Sequence, residues 1–198
     1  MTLLGLTGGV GMGKSTAAGF FQECGVRLVD TDQIARELVQ PGQPALNEIR
    51  MTFGNDLVSS DGQLRRDNLA NLVFENSSAR KQLEQILHPR IRKRWLAQVE
   101  KWRTENCTAA VVVIPLLYET DAATHFNKVI CVACSEPSRH ERLRARGWTD
   151  RQIQARIAAQ LPVTDKIARA DFVIWSEGAL ENHRCQVDCI LERVAAFA

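Results

Sequence analysis

The residues best suited to chemistry lie near the N-terminus, where residues 8–16 read Gly-Gly-Val-Gly-Met-Gly-Lys-Ser-Thr. Their spacing, Gly-x-x-x-x-Gly-Lys-Ser, is that of a phosphate-binding P-loop, whose glycines let the backbone curl until its N–H groups point at phosphate oxygens. In such a loop Lys14 would reach the β- and γ-phosphates of a nucleotide, and the Ser15 hydroxyl would bind Mg²⁺. The residues expected to bind the nucleotide are Gly11, Met12, Gly13, Lys14, Ser15 and Thr16.

The segments on either side of this loop have the pattern that a P-loop requires, a strand before it and a helix after it. Residues 3–7 form a short apolar run that predicts a buried strand, and residues 17–24 predict a helix. The N-terminus of that helix adds a partial positive charge beside the phosphates. The alternative, a glycine-rich turn with an incidental lysine, accounts for neither segment.

A second candidate group is the run Asp30-Thr31-Asp32, at the end of a predicted strand over residues 26–30. Carboxylates at the C-terminal end of a strand in a parallel sheet face the ligand crevice. An alcohol acceptor needs a carboxylate opposite the P-loop, as a base or as an orienting group, and Asp32 is the candidate. Alternatives stay open: Asp32 caps the next helix, and Asp30 either holds Mg²⁺ through water or simply ends the strand.

The rest of the chain supplies the elements that must position these residues. Continuous apolar runs rich in β-branched residues predict three more buried strands, at residues 109–114, 128–132 and 171–175. Strands that alternate with helical segments predict an α/β chain with a P-loop NTPase fold and a doubly wound, parallel, five-stranded sheet. Residues 178–198 predict a closing amphipathic helix that turns five side chains inward: Leu180, Val187, Ile190, Leu191 and Val194.

The length of one segment and the charge of another predict two additions to that sheet. Residues 33–103 have mostly helical patterns broken by turns, and are too long for a simple crossover, so we expect an inserted helical subdomain. Residues 1–32 and 104–198 would form the nucleotide-binding core of a single domain over residues 1–198. Crowded arginines predict an anion-binding, arginine-rich lid at residues 139–162. These arginines are Arg139, Arg142, Arg144, Arg146, Arg151 and Arg156.

The composition is that of an ordinary globular chain of 198 residues, 45% hydrophobic and 24% charged, and its net charge of +2 argues neither for nor against nucleic acid. No apolar run approaches the ~20 residues of a membrane span, and the N-terminus predicts a core strand rather than a signal peptide. We therefore expect a cytoplasmic protein with reduced cysteines.

An alternative is that four of the six cysteines bind zinc, although they do not form two close Cys-x-x-Cys pairs. These four are Cys131, Cys134, Cys185 and Cys189. The other interpretation places the first two at the end of a buried strand and the last two one turn apart on a helix.

A P-loop alone does not distinguish GTPases, ATPases and kinases. Guanine-specific GTPases normally carry Asn-Lys-x-Asp, and residues 127–130 read Asn-Lys-Val-Ile, without the aspartate. A small domain with a helical insertion and an arginine-rich lid fits a small-molecule kinase, because a closing lid excludes water and brings positive charge to the transferred phosphoryl group. Two other classes stay open: a kinase for a nucleoside monophosphate or small alcohol, and a regulator that hydrolyses its nucleotide slowly.

Several short motifs, in order along nearly the whole chain, resemble those of the dephospho-coenzyme A kinase family. They occupy residues 6–16, 29–36, 62–66, 87–89, 114–119, 156–160 and 170–174. The resemblance implies transfer of the γ-phosphoryl group of ATP to the ribose 3′-hydroxyl of dephospho-coenzyme A, the last step of coenzyme A synthesis. We expect Mg²⁺ as cofactor and ATP and dephospho-coenzyme A as partners, without nucleic acid or a membrane, and a monomer or weak homo-oligomer.

The family pattern also implies roles for residues around the acceptor. Asp32 matches the aspartate near the acceptor hydroxyl, and the insertion would hold the pantetheine arm and the acceptor adenosine. Arg66 follows the Gly-x-Leu turn and would bind an acceptor phosphate; the alternative is a solvated surface arginine. His88 would bind substrate or, together with Pro89, stop a helix.

On the ATP side, the lid arginines expected to contact phosphates are Arg142 and Arg146. Arg142 joins Lys14 and Asp32 in the expected catalytic set. Glu119 either supports the metal site or is a surface charge.

The sequence departs from the family pattern at three places. The strand that ends at residues 111–114 lacks a terminal aspartate, so Mg²⁺ would rest on Ser15, water, the phosphates and Asp32. Residues 146–149 read Arg-Gly-Trp-Thr where relatives commonly have Arg-Asp, which leaves the lid register open by one residue. Residues 175–178 read Trp-Ser-Glu-Gly in place of Asp-Asn-x-Gly, so the asparagine expected to contact adenine is a serine.

Overall fold

The computed structural model describes residues 1–195, without the side chain of Glu75, and the chain divides into two compact units. One unit consists of Met1–Asp30 and Val99–Ala198, of which residues 196–198 lie outside the described part. The other unit is Thr31–Gln98. The first unit contains the sheet and the P-loop, whereas the second is built from helices.

The sheet of the first unit has five parallel strands in the order β2-β3-β1-β4-β5. They are β1 (Thr2–Thr7), β2 (Arg27–Asp30), β3 (Ala109–Val113), β4 (Lys128–Ala133) and β5 (Phe172–Trp175). The strand that leads into the P-loop is central, because Leu4 pairs with Val111 on one side and with Lys128 on the other. The predicted five-stranded parallel sheet is confirmed. The three inner strands, β1, β3 and β4, are buried on both faces and have continuous apolar runs, which is why their sequences identify them.

Helices occupy most of the remaining chain between residues 1 and 195. They are α1 (Lys14–Glu23), α2 (Thr31–Leu38), α3 (Pro44–Phe53), α4 (Arg66–Glu75), α5 (Ser77–Thr104), α6 (Glu136–Ala145), α7 (Asp150–Ala158), α8 (Val163–Arg169) and α9 (Leu180–Ala195). Short 3-10 turns lie at Asn55–Leu57 and Ala123–His125. Helix α6 is capped by Ser135, whose hydroxyl accepts a hydrogen bond from the Ser138 amide.

The main core of the first unit forms between one face of the sheet and helices α1 and α9. Phe21 of α1 is fully buried and packs with Val187 and Ile190 of α9. The strands contribute Leu4, Leu6, Val111, Val113, Ile130, Val132 and Ile174 to this core. Helix α1, which begins at the P-loop lysine, is therefore anchored to the sheet by its apolar face.

The closing helix α9 begins at Leu180, and the last three residues of the predicted helix, 196–198, lie outside the described part of the chain. Val187, Ile190 and Val194 are buried, and Leu191 is half-buried against the core. The prediction that Leu180 points inward is wrong, because its side chain is 61% exposed. It is the first residue of the helix, and the buried residues of α9 begin one turn later at His183.

The second unit has a core of its own, formed by Val39, Ala45, Ile49, Leu57, Leu69 and Ile86. The prediction that Pro89 stops a helix is wrong, since α5 runs through it. Proline removes one backbone N–H and crowds the preceding turn. Burial of Ile86 and Trp95, on either side of Pro89, offsets that cost by holding both halves of the helix in place.

The cysteines are divided between the buried sheet and the exposed surface of α9. Cys131 and Cys134 are buried at and just after the end of β4, whereas Cys185 and Cys189 are exposed on α9. Among residues 1–195, no three His, Cys, Asp or Glu side chains gather into a group that could hold a metal ion. No helix in that range has an apolar stretch long enough to cross a membrane.

Candidate active site

The P-loop connects β1 to α1 and depends on glycine where the backbone is left-handed or closely packed. Gly8 has φ +144°, and a Cβ added there would lie 2.3 Å from the Val132 carbonyl oxygen of β4. Gly13, with φ 88°, is the residue before α1, and no side chain caps the N-terminus of that helix. The first turn of α1 is therefore available to bind an anion through its backbone N–H groups.

Lys14 is held over the P-loop by the loop itself. Its ammonium group donates hydrogen bonds to the carbonyl oxygens of Gly8 and Gly9, each at 2.9 Å. This arrangement places the positive charge of the ammonium group at the loop that the sequence predicts to bind phosphate. Ser15 and Thr16 follow in the first turn of α1 and are exposed. The structure thus brings the predicted phosphate-binding residues together around one helix N-terminus.

Arg142 lies beside the P-loop and is fixed by Ser176. Its Nη1 donates to the Ser176 hydroxyl at 2.8 Å, and its Nη2 donates to the Ser176 carbonyl oxygen at 2.5 Å. The Ser176 hydroxyl in turn donates to the Met12 carbonyl oxygen at 2.9 Å. A Cβ added to Gly13 would lie 3.6 Å from Arg142 Nη1, so the guanidinium group directly adjoins the loop.

The other members of the arginine cluster have different surroundings. Arg146, the second predicted phosphate ligand, is exposed at the C-terminal end of α6. Arg144 pairs with Asp150 at 2.9 Å on the surface. Arg156 stacks on the Trp148 ring with its guanidinium carbon 4.1 Å from the ring centre, and burial lowers the pKa of Arg156. The cluster is therefore not a single charged surface.

Arg139 and Gln160 bind the backbone of the P-loop, and neither was predicted individually as a site residue. Arg139 is 3% exposed, and its Nε donates to the Val10 carbonyl oxygen at 3.0 Å. The Gln160 side-chain oxygen accepts the Val10 amide at 2.9 Å. Both backbone polar groups of Val10 are thus bound, which leaves the loop residues that follow it as the candidates for phosphate binding. The signals for these two residues in the sequence are weak: Arg139 belongs to the arginine cluster and Gln160 to a motif of the resemblance.

The candidate acceptor carboxylates lie at the end of β2 and the start of α2. Asp30 is the last residue of β2 and is half-buried. Asp32 is the second residue of α2 and is exposed. The alternative in which Asp32 caps this helix is wrong, because α2 begins one residue before it, at Thr31. An acidic side chain in the first turn interacts favourably with the helix dipole, and its exposure leaves it accessible to a ligand.

Arg66 and His88 both belong to the helical unit. Arg66 is the exposed first residue of α4, and its Nη2 lies 3.5 Å from the Arg36 carbonyl oxygen near the end of α2. The exposure of Arg66 fits both expectations, a solvated surface arginine and a ligand of an acceptor phosphate. His88 is half-buried in α5, and burial lowers its pKa below the usual range, with a smaller contribution from Arg92 in the same direction.

The helical unit also contains a cavity of about 360 Å³. Its lining combines apolar side chains with three cations, and neither Arg66 nor His88 takes part in it. The lining residues are Leu38, Gln43, Pro44, Ala45, Arg90, Lys93, Arg94 and Ala97. Arg90 is paired with Glu48 at 2.5 Å and Arg94 with Glu37 at 3.4 Å. A ligand with an apolar chain and anionic groups suits such a lining.

A profile of the dephospho-CoA kinase family matches residues 2–182. The chain belongs to the dephospho-CoA kinase family. A dephospho-CoA kinase from Bacillus cereus is 38% identical over 191 residues, which are 96% of either chain. A crystal structure from Thermus thermophilus superimposes with a TM-score of 0.82 at 28% identity and covers 97% of both chains. A dephospho-CoA kinase from Campylobacter jejuni gives a TM-score of 0.71 at 26% identity, over 97% of this chain and 96% of that one.

Membership of the dephospho-CoA kinase family confirms the resemblance predicted from the motifs. At residues 175–178 the resemblance led us to expect an asparagine where the chain has Ser176. This serine joins Arg142 to the P-loop. Glu177 accepts hydrogen bonds from the Ser135 amide at 2.9 Å and from Trp175 Nε1 at 3.0 Å. Its bond from the Ser135 hydroxyl, first among several, lowers the pKa of Glu177 to about 2.

Glu119, for which two roles were considered, is an ion-pair partner inside the first unit. Its Oε1 accepts from Lys166 Nζ at 2.8 Å and from the Leu161 amide at 2.8 Å. Glu119 is therefore a surface charge, as one of the two expectations had it, but one that is ion-paired, with a side chain that is 21% exposed. Lys166 is fully buried and had no predicted role, because nothing in the local sequence distinguishes a buried lysine from an exposed one.

Proposed function

We propose that the chain transfers the γ-phosphoryl group of ATP to the ribose 3′-hydroxyl of dephospho-coenzyme A, giving ADP and coenzyme A. The observation that carries this proposal is the family match over residues 2–182 of the chain. The geometry supports it, since Lys14, Arg142 and an uncapped helix N-terminus converge on the P-loop. Such a cluster neutralises charge on a triphosphate and on the phosphoryl group in transfer.

Within this reaction the P-loop residues bind and orient the nucleotide. Backbone N–H groups of Gly11, Gly13 and Ser15, together with Lys14, would hold the β- and γ-phosphates. The Met12 and Thr16 amides already donate to the carbonyl oxygens of Gly9 and Gly13. Arg142 is preorganised by two bonds to Ser176, so it would contribute positive charge without losing conformational freedom on binding. Arg146 is exposed one turn along and would reach a phosphate only if residues 139–162 close as a lid.

The acceptor would bind to the helical unit. Asp32 would accept the proton of the ribose hydroxyl or orient that hydroxyl, and its exposure in the first turn of α2 leaves it accessible for this. Arg66 would bind an acceptor phosphate. His88 would contact the acceptor as a neutral imidazole, because burial lowers its pKa. The cavity of about 360 Å³ in the same unit, with its apolar wall and its cations, suits the pantetheine arm.

Mg²⁺ is the cofactor that we propose. The chain offers few ligands for it: Ser15 is exposed at the start of α1, and β3 ends at Val113 with Ile114 after it, without a carboxylate. Mg²⁺ keeps several waters and binds through few protein groups together with substrate phosphates, so this sparse donor set fits it. Ser15 would hold the ion, whose chemistry is to neutralise charge on the phosphates.

The decisive experiment incubates the protein with ATP, MgCl₂ and dephospho-coenzyme A and detects coenzyme A by mass. A parallel panel replaces the acceptor with nucleoside monophosphates and simple alcohols, and one reaction omits the acceptor. Product only with dephospho-coenzyme A supports the proposal. Equal turnover of a nucleoside monophosphate would favour the other kinase class, and slow ATP hydrolysis without phosphoryl transfer would favour a regulator. Gel filtration tests the expected monomer or weak homo-oligomer.

A further inference from the structure

Lys166 is a buried charged group that phosphate binding does not use directly. Its side chain is 0% exposed, and Nζ donates to the Pro115 carbonyl oxygen at 2.7 Å and to Glu119 Oε1 at 2.8 Å. Removing an ion pair from water costs more than its mutual attraction usually returns. An apolar side chain of similar volume would fill the same space at lower cost, so stability alone does not explain this lysine.

The segments that meet at this ion pair all lead to the P-loop. Pro115 follows β3, and its carbonyl oxygen also accepts the hydroxyl of Thr7, the last residue before the loop, at 3.2 Å. Glu119 Oε1 accepts the Leu161 amide at 2.8 Å. The residue before Leu161 is Gln160, whose side-chain oxygen holds the Val10 amide of the P-loop at 2.9 Å.

We propose that Lys166 and Glu119 are positioning residues for nucleotide binding: their ion pair fixes the backbone at Leu161, which places Gln160 against Val10 and so sets the conformation of the P-loop. Arg139 holds the other side of the same residue, through the Val10 carbonyl oxygen. With both polar groups of Val10 bound, the N–H groups of the following residues are aimed at the phosphates in advance. Preorganisation of this kind needs supporting contacts precise to about 0.5 Å.

If this ion pair positions the P-loop, its loss should affect nucleotide binding and acceptor binding differently. An ion pair that only stabilised the fold would affect both. A loosened P-loop binds phosphates less well, whereas binding of the acceptor alcohol does not depend on the loop. We therefore expect Lys166→Met to weaken ADP binding and to raise KM for ATP by about 10-fold, the effect of one well-placed hydrogen bond. KM for the acceptor should change by less than about 2-fold. The kinase readout rests on the proposed function, whereas ADP affinity does not.

The experiment measures ADP affinity by calorimetry and thermal stability for Lys166→Met, Glu119→Gln and Gln160→Met. Lys128→Met is the matched control, because Lys128 forms an ion pair of the same 2.8 Å length with Asp171 but is partly exposed. The control should bind ADP normally. Glu119→Gln keeps an oxygen for the Leu161 amide but removes the charge that pairs with Lys166. If Lys166→Met does not fold, the ADP affinity of Glu119→Gln tests the role of the ion pair.

A double-mutant cycle tests the route through Gln160. If Lys166 acts by placing Gln160, the variant with both Lys166→Met and Gln160→Met binds ADP no more weakly than the worse single variant. Additive losses would overturn this route. Unchanged ADP affinity in a folded Lys166→Met or Glu119→Gln protein would overturn the positioning role altogether. If the proposed kinase reaction fails but the variants still bind ADP more weakly, the positioning role stands. Only the assignment of dephospho-coenzyme A as the acceptor would then be wrong.

Discussion

Arg142 and Ser176 are joined by two hydrogen bonds, from Nη1 to the serine hydroxyl at 2.8 Å and from Nη2 to its carbonyl oxygen at 2.5 Å. The same hydroxyl donates to the Met12 carbonyl oxygen at 2.9 Å. One serine therefore connects an arginine of α6 to the backbone of the P-loop. An arginine held in this way loses little side-chain entropy on meeting a phosphate, which makes its contribution larger than that of an exposed arginine.

Ser176→Ala should reduce kcat/KM for ATP by about 3- to 10-fold, because it removes the hydroxyl but leaves the carbonyl bond to Arg142. Arg142→Ala should cost more, since it removes the charge itself. Steady-state kinetics with varied ATP measures both effects, and Ser60→Ala, on an exposed turn of the other unit, is the control. If Ser176→Ala is normal while Arg142→Ala is impaired, Arg142 does not depend on this serine.

Lys14→Ala should lower turnover by about 10²–10³ without unfolding the protein, because the lysine supplies a preorganised charge and belongs to no hydrophobic core. The measurement is kcat beside a thermal melt. Lys101→Ala, which removes an exposed lysine of α5, should leave kcat unchanged. A folded Lys14→Ala protein with near-normal turnover would contradict the assignment of the P-loop.

Residues 139–162, the predicted lid, should gain protection from hydrogen exchange when a non-hydrolysable ATP analogue binds. Arg139 and Gln160, near its two ends, are already bound to Val10. We therefore expect the gain between them, over residues 144–156, where Arg144 and Arg151 are exposed. Exchange measured by mass spectrometry with and without the analogue, with α9 as internal reference, gives the answer. Equal protection in both states would exclude a nucleotide-driven closure.

The sequence predicted the P-loop and the five strands because those signals are local. Loop spacing is read over eight residues, and a strand buried on both faces is apolar throughout its length. Local rules also produced the errors. Pro89 carried the sequence signal of a helix end, but the packing of the residues around it keeps α5 continuous. Leu180 matched the helical period but lies on the first, exposed turn of α9.

The contacts that order the site could not be predicted from the sequence, for a different reason. Arg139 and Gln160 lie 129 and 150 positions along the chain from Val10, and Lys166 lies 51 from Pro115. Periodicity and propensity describe neighbours within about two helical turns, so they cannot say which one of six arginines is buried. Only the tertiary structure distinguishes Arg139, at 3% exposed, from its exposed neighbours.

His183 should make the protein less stable as the pH falls below the ordinary histidine pKa of 6.5. Its Nε2 is buried without a hydrogen-bond partner among the described residues, and its ring packs edge-on against Phe20 at 5.4 Å. Burial, followed by the Arg142 charge, lowers its folded-state pKa below the ordinary 6.5. The unfolded chain therefore takes up the proton first, so stability is full above pH 6.5 and is lost as the pH falls towards the folded-state pKa.

Thermal melts from pH 8 to pH 5 test this, with His183→Leu as the variant. The apolar replacement should reduce the fall in Tm on acidification, because it removes the group that protonates. His125→Gln, which changes an exposed histidine, should follow the original protein. An unchanged pH dependence in His183→Leu would show that other groups control acid stability.

Asp32→Asn should lower kcat by about 10²–10⁴ while KM for dephospho-coenzyme A changes little, because asparagine keeps the shape but cannot accept the proton of the alcohol. The chain offers an unusually close control in Asp67. It is also an exposed aspartate at the second position of a helix in the same unit, in α4 rather than α2. Loss of a favourable helix-dipole interaction should be similar in the two variants, so Asp67→Asn corrects for it. Only the Asp32 variant should lose turnover. A raised KM with kcat unchanged would make Asp32 a simple binding contact, since uniform binding affects KM and leaves the chemical step alone.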